Sequence, residues 1–142
     1  MDVAVLIVWI LTAGGGFYLL ATWIRNGGVR SGETGTSSRF PPGLIFGHFG
    51  LAVVGLVLWI VFVAGGSSAV AWISFVVLLA VAALGFTMLA RWIPTFRATS
   101  GQTAVAAGDG PPERHFPLPA VAGHGVLAAT TLVIVFIATL SA

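Results

Sequence analysis

The sequence predicts an all-α fold, an up-down bundle of four transmembrane helices built from two tandem helical hairpins. Three observations predict it. The 142 residues are 58% hydrophobic and only 7% charged, with a mean hydropathy of +1.06, whereas an ordinary soluble domain carries about 25% charged residues. Four apolar runs are each long enough to cross about 30 Å of hydrocarbon as a helix. The first pair of runs is echoed in the second pair.

The same numbers exclude whole classes of function. A soluble domain of this size could not bury so much apolar surface, which excludes a soluble enzyme, and so apolar a chain is not a disordered one. Six arginines without a lysine do not make a phosphate-tracking face, so no nucleic-acid partner is expected. The pI of about 10.6 is then a topology signal. With no cysteine, disulfides, thiolate metal centres, iron–sulfur clusters and covalently attached c-type haem are excluded.

The spans fall at 3–24, 43–64, 69–93 and 119–140. The first has no basic leader and outlasts the apolar core of a signal peptide, so it is expected to stay as a helix. Prolines before the second and fourth suit helix N-termini, where the missing N–H costs nothing. Residues 26–40 and 94–118 are rich in Gly, Ser, Thr, Ala and Pro and are expected to be mobile linkers. The chain is thus one membrane domain, 1–142, with repeats at 1–66 and 67–142.

Arginine sets the orientation. Arg25, Arg30 and Arg39 follow span 1, and Arg91, Arg97 and Arg114 lie at or after the end of span 3. The turn between spans 2 and 3 carries no charge. All six basic residues therefore lie on one side, expected to be cytoplasmic in the cell membrane, with both termini outside. Trp23 and Trp92 at the inner ends, and Trp59 and Trp72 at the outer turn, stand where interfacial aromatic belts form.

The halves correspond in detail. Residues 16–24 read GFYLLATWI and residues 85–93 read GFTMLARWI, identical at six of nine positions. Residues 40–48 and 116–124 share Phe, Pro, Gly and His at the same offsets, and Leu51/Leu127 and Ala52/Ala128 extend the match. Two hairpins of like orientation would be related by an axis along the membrane normal.

The repeat places His48 and His124 at one depth, roughly 6–9 Å inside the inner surface at 1.5 Å per residue. An ionisable ring at that depth is a functional-site hypothesis by default. In an up-down bundle, spans 2 and 4 can face each other diagonally. Gly47 and Gly123 precede the two histidines, and Ala52 and Ala128 lie one turn above them, leaving room for a flat ligand. The sharpest reading is one non-covalent b-type haem with His48 and His124 as axial ligands. Arg39, Arg91 and Arg114 could pair with its propionates, and Phe40, Phe46, Phe49 and Phe116 could pack on the porphyrin. Two axial nitrogens on one iron need about 4 Å between them, since each metal–nitrogen bond is near 2 Å.

This layout resembles the membrane b-type cytochromes, in which histidines on facing helices of a four-helix bundle hold haem. The resemblance covers the bundle and the two Gly-His positions, not the sequence at large. It implies a small haem protein for electron transfer or haem handling, with quinol or a redox subunit as partner, alone or in a homo- or hetero-oligomer. Two-haem members carry a second histidine pair nearer the other face. This chain has no histidine in its outer half, so a single site near the cytoplasmic side is expected.

Plainer readings stand beside it. The histidines could be interhelical ties, bonded to Thr130, Thr131 or a backbone carbonyl. They could hold copper or zinc, with His115 as a third ligand, although His115 reads more simply as a solvated loop residue. Asp109, Glu113 and His115 could grip a cation, but their Gly- and Pro-rich surroundings suggest a loose loop. Gly14-Gly15-Gly16 and Gly43-x-x-x-Gly47 fit close helix packing, and Arg91 fits a surface anchor. There is no Ser–His–Asp set, phosphate loop or carboxylate pair, so no catalysis of its own is expected. The alternatives to a haem protein are an accessory subunit of a membrane complex and a histidine-based metal carrier.

Overall fold

The structure, a computed structural model, describes residues 1–30, 38–100 and 110–142, with only the backbone of Thr99 and Ser100. It contains four long helices, α1 (Asp2–Arg25), α2 (Pro42–Gly65), α3 (Ser68–Ser100) and α4 (Leu118–Leu140), and no strand among the described residues. All four are long and apolar enough to cross a membrane, and less than a quarter of each span is buried within the bundle. The outward faces carry Phe86, Val126, Phe17 and many other large apolar side chains. A surface of that composition suits hydrocarbon rather than water.

Local chemistry sets the ends. Pro42 opens α2, and α4 opens Leu118-Pro119, each after an extended proline cap (Pro41, Pro117). Helix α2 stops at Gly66, whose φ of +70° only glycine adopts at no steric cost and whose N–H bonds to the Phe62 carbonyl at 2.7 Å. That turn sends α3 back antiparallel after two residues.

Helix α3 runs past the expected end at 93 and through Pro94 to Ser100. Proline removes one helical hydrogen bond, but here it falls near the arginine end, where the freed carbonyl can meet polar groups. Phe96 then stacks on Trp92 one turn earlier, with centroids 4.8 Å apart and 27° between planes.

Packing follows the ring order α1–α2–α3–α4. Helix α2 packs most closely on α3 and α1 on α4, while the α1–α2 and α3–α4 seams touch over less of their length. Helices α2 and α4 therefore lie across a diagonal. Two apolar cores fill the bundle. The one toward the α2–α3 turn holds Val5, Trp9, Trp59, Phe62, Leu78, Val81 and Val135. The one toward the arginine end holds Trp23, Phe40, Ile45 and Trp92.

Two expectations need correction. Trp23, Trp59 and Trp92 do not form interfacial belts, because all three are buried in these cores. Their indole N–H groups find inward partners, Ser38 Oγ, the Asp2 carbonyl and the Glu113 carbonyl respectively. Only Trp72 faces outward. Nor are the described parts of the connections at the arginine end loose. Gly28–Arg30 and Pro112–His115 form 3-10 turns, with Gly28, Pro112 and Glu113 buried.

Trp9 lies over Gly55, where an added Cβ would come within 3.1 Å of the indole. Gly55→Val should therefore destabilise the bundle by about 1–3 kcal/mol, the usual range for overpacking. The readout is the thermal unfolding midpoint in detergent. Gly50→Ala, where a Cβ meets nothing within 4 Å, should leave that midpoint nearly unchanged.

Candidate functional site

Between the two cores lies a layer built on His48 and His124, each the seventh residue of its helix. Their ring centroids are 6.3 Å apart with 71° between planes, so the rings meet across the α2–α4 diagonal. Both are partly buried.

Each ring is tied to the helix packed most closely against its own. His48 Nδ1 bonds to the Val81 carbonyl on α3, and His124 Nδ1 to the Thr12 carbonyl on α1, both at 3.0 Å. A carbonyl oxygen can only accept, so each Nδ1 carries the proton and donates it. Each neutral ring is thereby held as the tautomer whose Nε2 lone pair is bare. Among the described residues no hydrogen bond reaches either Nε2. A backbone carbonyl on Nδ1–H is the usual outer-shell partner of a metal-bound imidazole, because it fixes the ring and raises the basicity of the other nitrogen.

The two halves of the layer match position by position. Val81 and Thr12 are 69 residues apart in the chain, as are Gly85 and Gly16, and Trp92 and Trp23. Gly85 lies against His48 and Gly16 against His124, where an added Cβ would stand 3.3 Å and 3.0 Å from the respective Cε1 atoms. Gly15 also backs His124. These glycines let α1 and α3 approach the imidazoles closely.

The halves differ above the rings. The Thr12 and Thr131 hydroxyls lie 2.8 Å apart on the His124 side, and Thr131 also donates to the Leu127 carbonyl. The equivalent positions on the other side are Val81 and Gly55, with the Gly55 carbonyl accepting from Ser74 Oγ at 2.9 Å.

The remaining candidates are distributed as follows. Ala52 and Ala128 are half-buried one turn beyond the histidines. A Cβ added to Gly47 would stand 4.0 Å from Leu84 Cδ1, while one on Gly123 would meet nothing within 4 Å. Gly43 and Gly14 are likewise open, so close helix packing rests on Gly15, Gly16, Gly55 and Gly85 instead. Arg39 and Arg91 are exposed at the arginine end, joined by Arg91 Nη1 donating to the Arg39 carbonyl at 3.1 Å. Arg114 is half-buried beside Gly110. Of the aromatic candidates, Phe46 packs edge-on to Trp23, Phe49 against Phe17, and Phe40 against Phe116. Thr130 bonds to its own helix at Val126, not to an imidazole.

His115 is exposed, with its Nδ1 on the Pro112 carbonyl at 3.2 Å. Asp109, the partner suggested for Glu113 and His115, lies outside the described residues. Among the described residues no three His, Cys, Asp or Glu side chains gather as a metal cluster.

Sequence reasoning weighed Glu113 only as part of a cation grip, and it offered the histidines a backbone carbonyl without placing it at Thr12 or Val81. A carbonyl leaves no mark on residue identity. Glu113 did carry a signal, a lone acid between Pro111-Pro112 and Phe116-Pro117, where prolines restrict the backbone enough to hold a side chain in place.

The tautomer assignment is directly measurable. In the ligand-free protein, 15N NMR of both imidazoles should show a protonated Nδ1 and an unprotonated Nε2. Gly16→Leu should disturb the His124 signals while leaving those of His48 largely in place. Compared with known proteins, the chain matches no protein family, no curated protein and no solved structure.

Proposed function

We propose that the chain is a small integral membrane protein of two tandem hairpin repeats that binds one b-type haem between His48 and His124, for electron transfer or haem handling. One observation carries this reading: two imidazoles 6.3 Å apart, each locked with Nδ1 on a carbonyl and Nε2 bare. A nitrogen lies about 1.2 Å from its ring centre and a metal–nitrogen bond is near 2 Å, so two imidazoles opposite each other on one iron have centroids about 6.4 Å apart. The 6.3 Å separation of the ring centroids supports that arrangement.

The ligand count favours haem over a bare ion. Zinc or copper normally takes three or four protein donors. Haem iron takes four nitrogens from the porphyrin and asks the protein for two at most. The repeat reading is supported by the matched registers, since equivalent histidines bond to equivalent positions and equivalent glycines back them. Membrane insertion is supported by the four apolar helices, and a cytoplasmic arginine end by the placement of all six arginines.

When bound, haem supplies one-electron chemistry. The protein's own contribution is positional and electrostatic. The carbonyls of Val81 and Thr12 aim the rings and raise their basicity as donors. Gly15, Gly16 and Gly85 keep α1 and α3 from crowding them. Arg39 and Arg91, exposed at the near end, are suited to carboxylate groups at the edge of the site. Quinol or a redox subunit would exchange electrons from that side.

A second reading rests on the same hydrogen bonds. Each imidazole already joins two helices, a contact worth about 0.6–2 kcal/mol in a membrane. An accessory subunit of a larger complex would need nothing more from them.

The two readings part in a titration. Added to the purified protein, haem should give one equivalent of a six-coordinate low-spin spectrum, with an intense Soret band and sharp bands on reduction. His48→Ala and His124→Ala should each abolish that spectrum. Protein that takes up no haem, or variants that keep the parental spectrum, would leave the structural reading.

A further inference from the structure

We propose that Glu113 is a latch that closes the histidine layer toward the aqueous phase at the arginine end, whatever the two rings bind. Glu113 is fully buried although it sits in a four-residue turn at the end of the bundle. Its Oε2 accepts from Ser38 Oγ at 3.0 Å, and its Oε1 accepts from the Arg39 backbone N–H. These bonds join the segment that enters α4 to the segment that enters α2, the two helices that carry the histidines.

Both inner tryptophans are fastened to the same latch. Trp92 Nε1 donates to the Glu113 carbonyl at 3.2 Å. Trp23 Nε1 donates to Ser38 Oγ at 3.0 Å, as does the Phe40 N–H. The Ser38 hydroxyl thus uses two acceptor positions, and its one proton goes to the carboxylate, the stronger acceptor. All four helices meet at this network, α1 and α3 through tryptophan, α2 and α4 through their entry segments.

Directly behind the latch stand Trp23, Phe40, Ile45 and Trp92, with Phe116, Met88 and Val121 packed against them. Ile45 and Val121 are one helical turn from His48 and His124. From the arginine end inward the order is carboxylate latch, apolar plug, histidine layer. A carboxylate is an unusual choice for a purely static seal, since a buried charge is stable only while its donors stay in place. Once Ser38 or Arg39 moves away, Glu113 is drawn to water and the entry segments of α2 and α4 separate. The closed state is therefore conditional, and its release is the route by which water or a ligand reaches the rings.

The chain has no cysteine, so a single introduced thiol reports access without background. Val121→Cys, in nanodiscs, is treated with a negatively charged thiosulfonate that does not enter lipid. It should react slowly in the parent. Adding Glu113→Ala should raise the rate about tenfold or more, and adding Ser38→Ala, which empties no large volume, should raise it by a smaller factor. Gly55→Val, which strains the other core, should not raise it. Equal rates in the parent and the Ser38→Ala background would overturn the proposal, as would an equal rise with Gly55→Val. Should Glu113→Ala fail to fold, Ser38→Ala decides alone. No haem is present in this assay, so its outcome is independent of the haem titration.

Discussion

A polar ring inside an apolar bundle has to find a partner, and in this protein the partner is backbone. His48 and His124 each give their Nδ1 proton to a carbonyl on the neighbouring helix. The half of the bundle toward the arginine end is arranged around those two bonds. They require α2 to lie close to α3 and α4 close to α1, which is how the helices pair. They require glycine where the flanking helices face the rings, and Gly16 and Gly85 stand there. They also determine which ring nitrogen is left over.

The two halves share a register but not a chemistry. Positions 9, 12, 23, 55 and 59 are buried, and so are their counterparts 78, 81, 92, 131 and 135. Within that frame the side chains differ in compensating ways. Trp9 in one half faces Gly55, so the large ring and the missing side chain fill one volume. Thr12 on α1 and Thr131 on α4 pair their hydroxyls, whereas their counterparts Val81 on α3 and Gly55 on α2 have no hydroxyl to satisfy. Close packing holds the layout constant while the polar detail drifts.

At the arginine end Glu113 and Ser38 together link all four helices. Tryptophans that hydropathy alone would assign to the lipid interface turn inward, because their N–H groups are needed by that network. An indole is large enough to plug the bundle and polar at one edge, so it serves the apolar core and the latch together. The histidine layer is consequently enclosed on both sides, by the Trp9–Trp59 core and by the Trp23–Trp92 core.

Composition and length alone determined the four helices, because an uninterrupted apolar run of some twenty residues has few alternatives to a helix. Their observed limits differ from the expected ones by a residue or so, except past Pro94, where α3 runs on to Ser100 and Phe96 stacks on Trp92 of the same helix. The matched Gly-His positions likewise put two imidazoles at the same place along their helices. What only the tertiary structure decided was direction: which nitrogen faces a carbonyl, which tryptophans turn inward, and that Glu113, in a segment that looked loose, is buried. Depth along a helix is counted in residues and can be read from a sequence. Orientation and burial depend on atoms brought in from other helices, and the backbone carbonyls of Thr12 and Val81 are the same in every residue type, so no sequence pattern announces them.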